Sequence, residues 1–276
     1  MTGRKRLRVA VSSGDVYLVP GDMHFPTHDE DAVDAMVRWF EEEYGWRGNE
    51  SRRGVILQGD TLDCYGLSRY PKRAARLWAD SRLKDEVASA TPFLTWAGSL
   101  PLGCTMILGN HEDRLNDLLD GHPELHGSNG ANFAAMTGLS SIPGLDVLDH
   151  GSRVCLGDKV VICHGDVDRF PRRPHLVAAK YPDHVTLWGH THQVSHHAIT
   201  VYDSAGAPQV RGAYNVGHMC NVAAQDYTDD PSWQTGFAVV EFFGERGGEG
   251  QGSPRPFFRV QQHLVFRDSE GRAVVA

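Results

Sequence analysis

The sequence predicts an α/β protein, a β-rich sandwich folded as one domain over residues 1–276. Three observations carry this. Short apolar runs alternate with helical periodicity through the first 120 residues. Hairpin patterns replace that alternation after about residue 145. No repeat or long linker divides the chain.

Leu7–Val11 is apolar enough for a strand, and Asp15–Val19 for a second that runs into Pro20-Gly21-Asp22-Met23-His24. Thr27-x-x-Glu30 resembles a capping box. Val33, Met36, Val37 and Phe40 then follow at the spacing of one buried helix face, which predicts a helix from about 28 to 44, ended near Gly45. Gly54–Gln58 and Cys104–Leu108 read as strands. Helical regions follow them near 72–97 and 112–120. Arg153–Leu156 and Lys159–Cys163 form a hairpin through Gly157-Asp158, and Val185–Trp188 is a further strand. Ala198–Tyr202 and Gln209–Tyr214 make a second hairpin, and Phe237–Phe243 and Phe257–Phe266 are also strand-like. Residues 244–256 are Gly- and Pro-rich and read as a loop.

Composition narrows the class. Lys plus Arg is 27 against 35 for Asp plus Glu, a net charge of −8. That balance disfavours a surface built to wrap duplex DNA. Gly (30) and Pro (14) fall below the share typical of disorder, about 25–30%. No run approaches the ~20 apolar residues of a membrane helix. The basic segment Met1–Arg8 is followed by too short an apolar run for a secretory signal. Five scattered cysteines, none in a C-x-x-C pair, argue against a disulfide scaffold. A cytoplasmic protein without membrane contact is expected.

Five polar clusters sit at predicted strand ends: Asp22-Met-His24, Gly59-Asp60-Thr-Leu-Asp63, Gly109-Asn110-His111-Glu112-Asp113, His164-Gly165-Asp166 and Gly189-His190-Thr191-His192. Ligands of open α/β sheets bind beyond the carboxyl ends of strands. Carboxylates suit hard divalent ions, and imidazoles suit Mn, Fe, Co or Zn. Asp-x-His and His-x-His place both members of a pair on one side of an extended chain.

In this order and spacing, the blocks D-x-H, G-D-x-x-D, G-N-H-E, H-G and G-H-x-H resemble the calcineurin-like metallophosphoesterase superfamily, over about residues 9–243. The segment Asn221–Phe243, with Trp233-Gln234-x-Gly236-Phe237, resembles versions carried by bacteriophages and prophages. The resemblance implies a four-layer α/β/β/α sandwich of two mixed sheets, with C-terminal strands over 257–276. It implies two divalent metal ions, Mn²⁺ foremost, with Fe, Zn, Ni or Co as alternatives. Asp22, His24 and His192 would hold one ion and Asn110, His164 and His190 the other, with Asp60 between them. His111 would be the general acid, oriented by Asp63, while Asn110 and Arg114 would meet substrate.

The implied activity is a metal-dependent phosphohydrolase. A metal-bound hydroxide attacks phosphodiesters of nucleotides or other small molecules in line. A nuclease acting on DNA or RNA, or a phosphomonoesterase, is the alternative, and a non-enzymatic scaffold is disfavoured because all seven ligands and His111 are present. The sequence departs from the related protein Ser/Thr phosphatases at two places. Cys64 follows Asp63 where they carry Arg, and Asp166 follows His164-Gly165 where they carry a second Gly.

Other residues are expected to be ordinary. Glu112 and Asp113 suit a helix N-terminus, and His150 and His184 are expected to be solvated or structural. Basic clusters at Arg69, Lys72, Arg73 and Arg76 and at Arg169, Arg172 and Arg173 fit equally a phosphate-gripping rim and a solvated face. The sequence leaves the oligomeric state open.

Overall fold

The computed structural model describes residues 5–45, 52–68, 82–122, 124, 132–202, 205–206, 208–225, 232–244 and 257–276. The cluster Arg69–Arg76, part of the expected helix at 72–97 and nearly all of the 244–256 loop lie outside them.

The strands are β1 (Arg6–Val9), β2 (Asp15–Pro20), β3 (Arg52–Leu57), β4 (Cys104–Ile107), β5 (Leu145–Leu148), β6 (Arg153–Leu156), β7 (Val160–Cys163), β8 (Val185–Trp188), β9 (Val194–Tyr202), β10 (Pro208–Val216), β11 (Gly236–Phe243), β12 (Phe257–Arg267) and β13 (Ala273–Val275). The α-helices are α1 (Glu30–Tyr44), α2 (Leu83–Ser99), α3 (Asp113–Asp120), α4 (Phe133–Thr137) and α5 (Pro174–Lys180).

Two mixed sheets result. One runs β1-β6-β7-β8-β10-β9, the other β13-β12-β11-β2-β3-β4-β5. In the second, β2, β3, β4 and β5 are parallel and β11, β12 and β13 extend it antiparallel. The chain is thus an α/β sandwich.

Strand β2 shows why the sheets stack. All six of its residues are buried. Val16 and Leu18 face a cluster that includes Met36 and Phe40 of α1 and Leu94 of α2. Tyr17 and Val19 join a second cluster with Val154, Leu156, Val160, Ile162 and Leu187 of the other sheet. A strand covered on both faces needs a continuous apolar run, which Asp15–Val19 supplies. On the far side of the six-stranded sheet, Cys163, Trp188 and Ala213 pack with Phe170 and with Val177 and Ala178 of α5.

Several expectations shift. The strand expected over Leu7–Val11 is β1, which ends at Val9 and pairs in parallel with β6, in the sheet that lacks β2. Leu7 and Val9 lie against the inter-sheet cluster while Arg6 and Arg8 are exposed. The cap of α1 is Asp29, whose Oδ1 accepts from the Ala32 N–H at 3.1 Å. Thr27 is not the cap, because its hydroxyl donates to the His24 carbonyl at 2.9 Å. Helix α1 does end at Gly45. All five cysteines are buried, and none forms a disulfide. No helix among the described residues is long and apolar enough to cross a membrane.

Asp29 also accepts two hydrogen bonds from Arg267 Nη2, at 2.7 and 2.9 Å, tying α1 to β12. Replacing Asp29 by Ala is predicted to lower unfolding free energy by about 1 kcal/mol, the usual worth of an N-cap. Urea denaturation checks this, and Asp29→Asn should recover most of the loss, because Asn caps about as well as Asp.

Candidate metal centre

The predicted polar clusters converge at one end of the sheets. Asp22 and His24 follow β2, Asp60 follows β3, Asn110 and His111 follow β4, His164 follows β7, and His190 and His192 follow β8. Asp22, His24, Asp60 and His192 offer ligand atoms all within 4.8 Å of one another, and Asp60, His164 and His190 form a second such group. Asp60 belongs to both. Asn110 adds its Oδ1, which lies 2.9 Å from His164 Nε2 and 2.9 Å from His190 Nδ1. The seven residues thus lie together, in two groups that share Asp60, while His24, Asp63 and His111 form a further such group.

The backbone is bent to make this possible. Among the described residues six non-glycine positions have positive φ, and four of them are His24, Asp60, His190 and His192. Left-handed backbone costs a residue with a Cβ free energy, and it persists where the surroundings over-determine it. Gly109 and Gly189 let the loops close in. A Cβ on Gly109 would overlap Asp60 Oδ1, and one on Gly189 would overlap Asp22 Oδ1.

The donor chemistry fits cations. His24 Nε2 and His192 Nε2 face each other at 3.1 Å, and His192 Nε2 stands 3.2 Å from Asp22 Oδ2. Asp22 Oδ1 is buried without a hydrogen-bond partner, as are Nδ1 of His164 and His192. Burial pushes the Asp22 carboxyl up to about 6, with Asp60 adding to the effect against nearby histidines. Uncompensated carboxylates in a buried site are costly unless a positive charge meets them. For His164, burial disfavours the charge but Asp60 prevails and raises it to about 9. Asp60 is held well below the usual carboxylate range. Burial opposes this, and His164 and His111 overcome it.

His111 stands beside both groups. Its Nδ1 lies 2.8 Å from Asp63 Oδ1 and 2.8 Å from the Asp63 carbonyl, and its Nε2 is 4.0 Å from Asp60 Oδ2. Burial works against its charge, but Asp60 and Asp63 raise it. Asp63 also lies 3.4 Å from His24 Nδ1, so one carboxylate orients two imidazoles. The Arg114 guanidinium donates through Nη1 to the carbonyls of Asp63 and Cys64 at 2.9 and 3.4 Å, placing it on the loop that carries Asp63.

Sequence reasoning missed three supports. Glu112 does stand at the start of α3, but its carboxylate accepts the N–H groups of Asp60, Leu62 and Gly109 at 3.1, 2.7 and 2.8 Å. It clamps the Asp60 loop to the Gly109 loop. Burial and the nearby Asp60 charge raise its carboxyl, and the N–H donors oppose them. His150 bridges Asp113 and Asp166, each at 2.8 Å, and so ties α3 to the loop after His164. The Trp233 ring lies 4.2 Å from the His192 ring at 78°, half-buried. Its segment is pinned by Gln234 N–H to the His192 carbonyl at 3.0 Å and by Val194 N–H to Gln234 Oε1 at 3.1 Å. The sequence marked Trp233 in a motif without placing it beside a ligand.

No family model and no curated protein matches this chain. The geometry therefore stands on its own.

The His150 clamp gives a pH prediction. Burial opposes charge on the ring, but Asp113 and Asp166 raise it to about 10. A raised histidine contributes stability fully below its unfolded value, about 6.5. That contribution is lost as pH climbs through the folded value. Asp113 and Asp166 are lowered by the same ring against the effect of burial, so their share disappears as pH falls through the acid range. Replacing His150 by Gln should cost about 1–3 kcal/mol at pH 6–7, the worth of hydrogen bonds to charged groups. The gap from wild type should narrow above about pH 10 and in strong acid, as read from chemical denaturation across pH.

Proposed function

We propose that this chain is a dinuclear metal-dependent phosphohydrolase of the calcineurin-like metallophosphoesterase superfamily, with its four-layer α/β/β/α fold, acting on phosphodiesters of nucleotides or similar small molecules. One observation carries the reading: two groups of donors, one wholly buried and one opening to solvent at His190, meet at Asp60. Asp22, His24 and His192 would hold one ion and Asn110, His164 and His190 the other, with Asp60 common to both. Mn²⁺ is the favoured ion, because mixed carboxylate and imidazole donors suit it. Two such cations supply activation of water toward phosphorus and neutralise charge on phosphoryl oxygens.

The chain's own groups do the rest. Asp63 accepts from His111 Nδ1, which leaves the transferable proton on Nε2. Asp60 and Asp63 favour the protonated ring, so His111 is held as a general acid for the departing oxygen. Arg114 fixes the Asp63 loop and thereby the direction of His111. Glu112 keeps the Asp60 and Gly109 loops at one spacing, which geometry-sensitive catalysis requires. Trp233 offers an aromatic face beside His192, which favours a nucleotide among small phosphodiesters.

Hydrolysis of bis-nitrophenyl phosphate against nitrophenyl phosphate, on metal-stripped protein re-supplied with Mn²⁺, Ni²⁺ or Zn²⁺, tests the class. The expected result is metal-dependent diester cleavage that Asp60→Asn abolishes. Monoester preference would redirect the reading to phosphomonoesters, and inactivity on both would favour a selective nuclease or a scaffold.

Two substitutions probe individual roles. His111→Ala should lower kcat by about 10²–10⁴ on diesters with poor leaving groups, the usual worth of a general acid, and much less on nitrophenyl esters. Equal losses on both would remove the acid role. Trp233→Ala should raise KM for dinucleotide diesters severalfold to about a hundredfold, from about 1–3 kcal/mol of stacking. It should leave glycerophosphodiesters unchanged, and a parallel rise there would show that Trp233 only supports His192.

A further inference from the structure

The outer face of the six-stranded sheet carries a cavity remote in character from the metal donors. It encloses about 80 Å³ and is lined by Arg6, Arg153, His184 and Thr186 with Val161, Cys163, Phe170 and Tyr181. That is several times the roughly 10–15 Å³ that one water needs, and too small for a whole nucleotide.

Its charge is the unusual feature. Arg6 and Arg153 are register partners on adjacent parallel strands, so both side chains leave the same face of the sheet. Like charges placed so are destabilising unless something meets them. Arg153 is partly met, because its Nη2 contacts Asp168 at 2.5 Å and its guanidinium lies 5.7 Å from the Tyr181 ring centre. Its Nε is nevertheless buried without a hydrogen-bond partner among the described residues. Arg6 has no hydrogen-bond or ion-pair partner among the described residues. Lys180 adds a cation at the same wall, 5.1 Å from the Tyr181 ring centre. Burial lowers His184, and the charges of Arg6, Lys159 and Arg211 lower it further against Asp183 alone. In a chain of net charge −8 this is a local excess of cations.

We propose that this cavity binds a tetrahedral oxyanion, the phosphate group of a small ligand, between Arg6, Arg153, His184 and Thr186. The wall supplies the needed donors: guanidinium N–H groups in a fixed fork, an imidazole and a hydroxyl. Among the described residues the carboxylate in contact with them, Asp168, is already neutralised by Arg153. Val161 and Thr186 form the floor, and Phe170 and Tyr181 shield the anion from water. The strands beneath the cavity continue directly into the metal donors, Cys163 into His164 and Trp188 into His190 through Gly189. Free phosphate and the head of a phosphomonoester share the recognised chemistry.

Isothermal titration with inorganic phosphate and, separately, with glycerol 3-phosphate tests this. The metal centre also attracts phosphate, so Asp60→Asn protein is titrated beside wild type. Asp60→Asn should keep one phosphate site per chain. In that background Arg6→Glu should weaken the site at least tenfold, and Thr186→Val severalfold. Arg6→Glu alone should leave metal-dependent diester hydrolysis unchanged, since Arg6 lies on an exposed edge strand outside the donor set. Tighter binding of glycerol 3-phosphate assigns the site to a phosphomonoester, and tighter binding of phosphate to the free ion. Loss of all phosphate binding in Asp60→Asn, or unchanged affinity in Arg6→Glu, overturns the proposal. A wild-type chain that cleaves no ester would end the catalytic reading and leave this one intact.

Discussion

A single carboxylate, Asp60, stands where two groups of donors meet, and much of the surrounding structure serves to keep it there. Its backbone is left-handed. Its N–H is held by Glu112, and its Oδ1 accepts the His111 N–H at 3.0 Å. The carbonyl accepts from the Met23 and His24 N–H groups at 3.1 and 2.9 Å, joining the loop after β3 to the loop after β2. One residue thereby fixes three loops. The absence of a side chain at Gly109 lets the third of them, the loop after β4, come this close to Asp60.

Such a centre works against stability. It gathers carboxylates and imidazoles where water is scarce, leaves several of their polar atoms without hydrogen-bond partners, and holds four residues in strained backbone. The offsetting burial comes from the sheets. Apolar clusters on both faces of the seven-stranded sheet make the strands rigid, and the ligands occupy the first residues beyond their ends. A site on strand ends inherits the precision of the strands while its loops remain free to carry the strain. Glu112 and His150 supply charged cross-links between loops at the points where apolar packing ends.

The sequence made the strands and their ends legible for a physical reason. A strand buried on both faces must be an apolar run, and a loop turning tightly under a cleft must contain glycine, so Val16–Val19, Val55–Leu57 and Met106–Ile107 announced themselves with the donors that follow. Motif order carried the resemblance that implied six donors grouped with Asp60. Pairing between distant segments was not. Nothing in Arg6–Val9 says that it joins β6 rather than β2, because both faces of either sheet would accept Leu7 and Val9. Short elements such as β5 and α5 lack enough residues to show a period. Glu112 looked like a helix-start acid, since a carboxylate in that position satisfies the dipole and the loop clamp alike. Trp233 reaches His192 through the long-range pairing of Gln234 with the His192 backbone, which the local sequence does not encode, and the basic cavity arises from strands that are neighbours only in the folded sheet.

The central claim is that Asp60 joins two cation sites into one centre. Equilibrium dialysis of the full chain against Mn²⁺, with metal counted per chain, tests it most directly. The account predicts two ions per chain in the wild type, and loss of both high-affinity sites in Asp60→Asn while the far-ultraviolet circular dichroism is unchanged. One ion or none in the wild type, or two ions retained at unchanged affinity in Asp60→Asn, would contradict it.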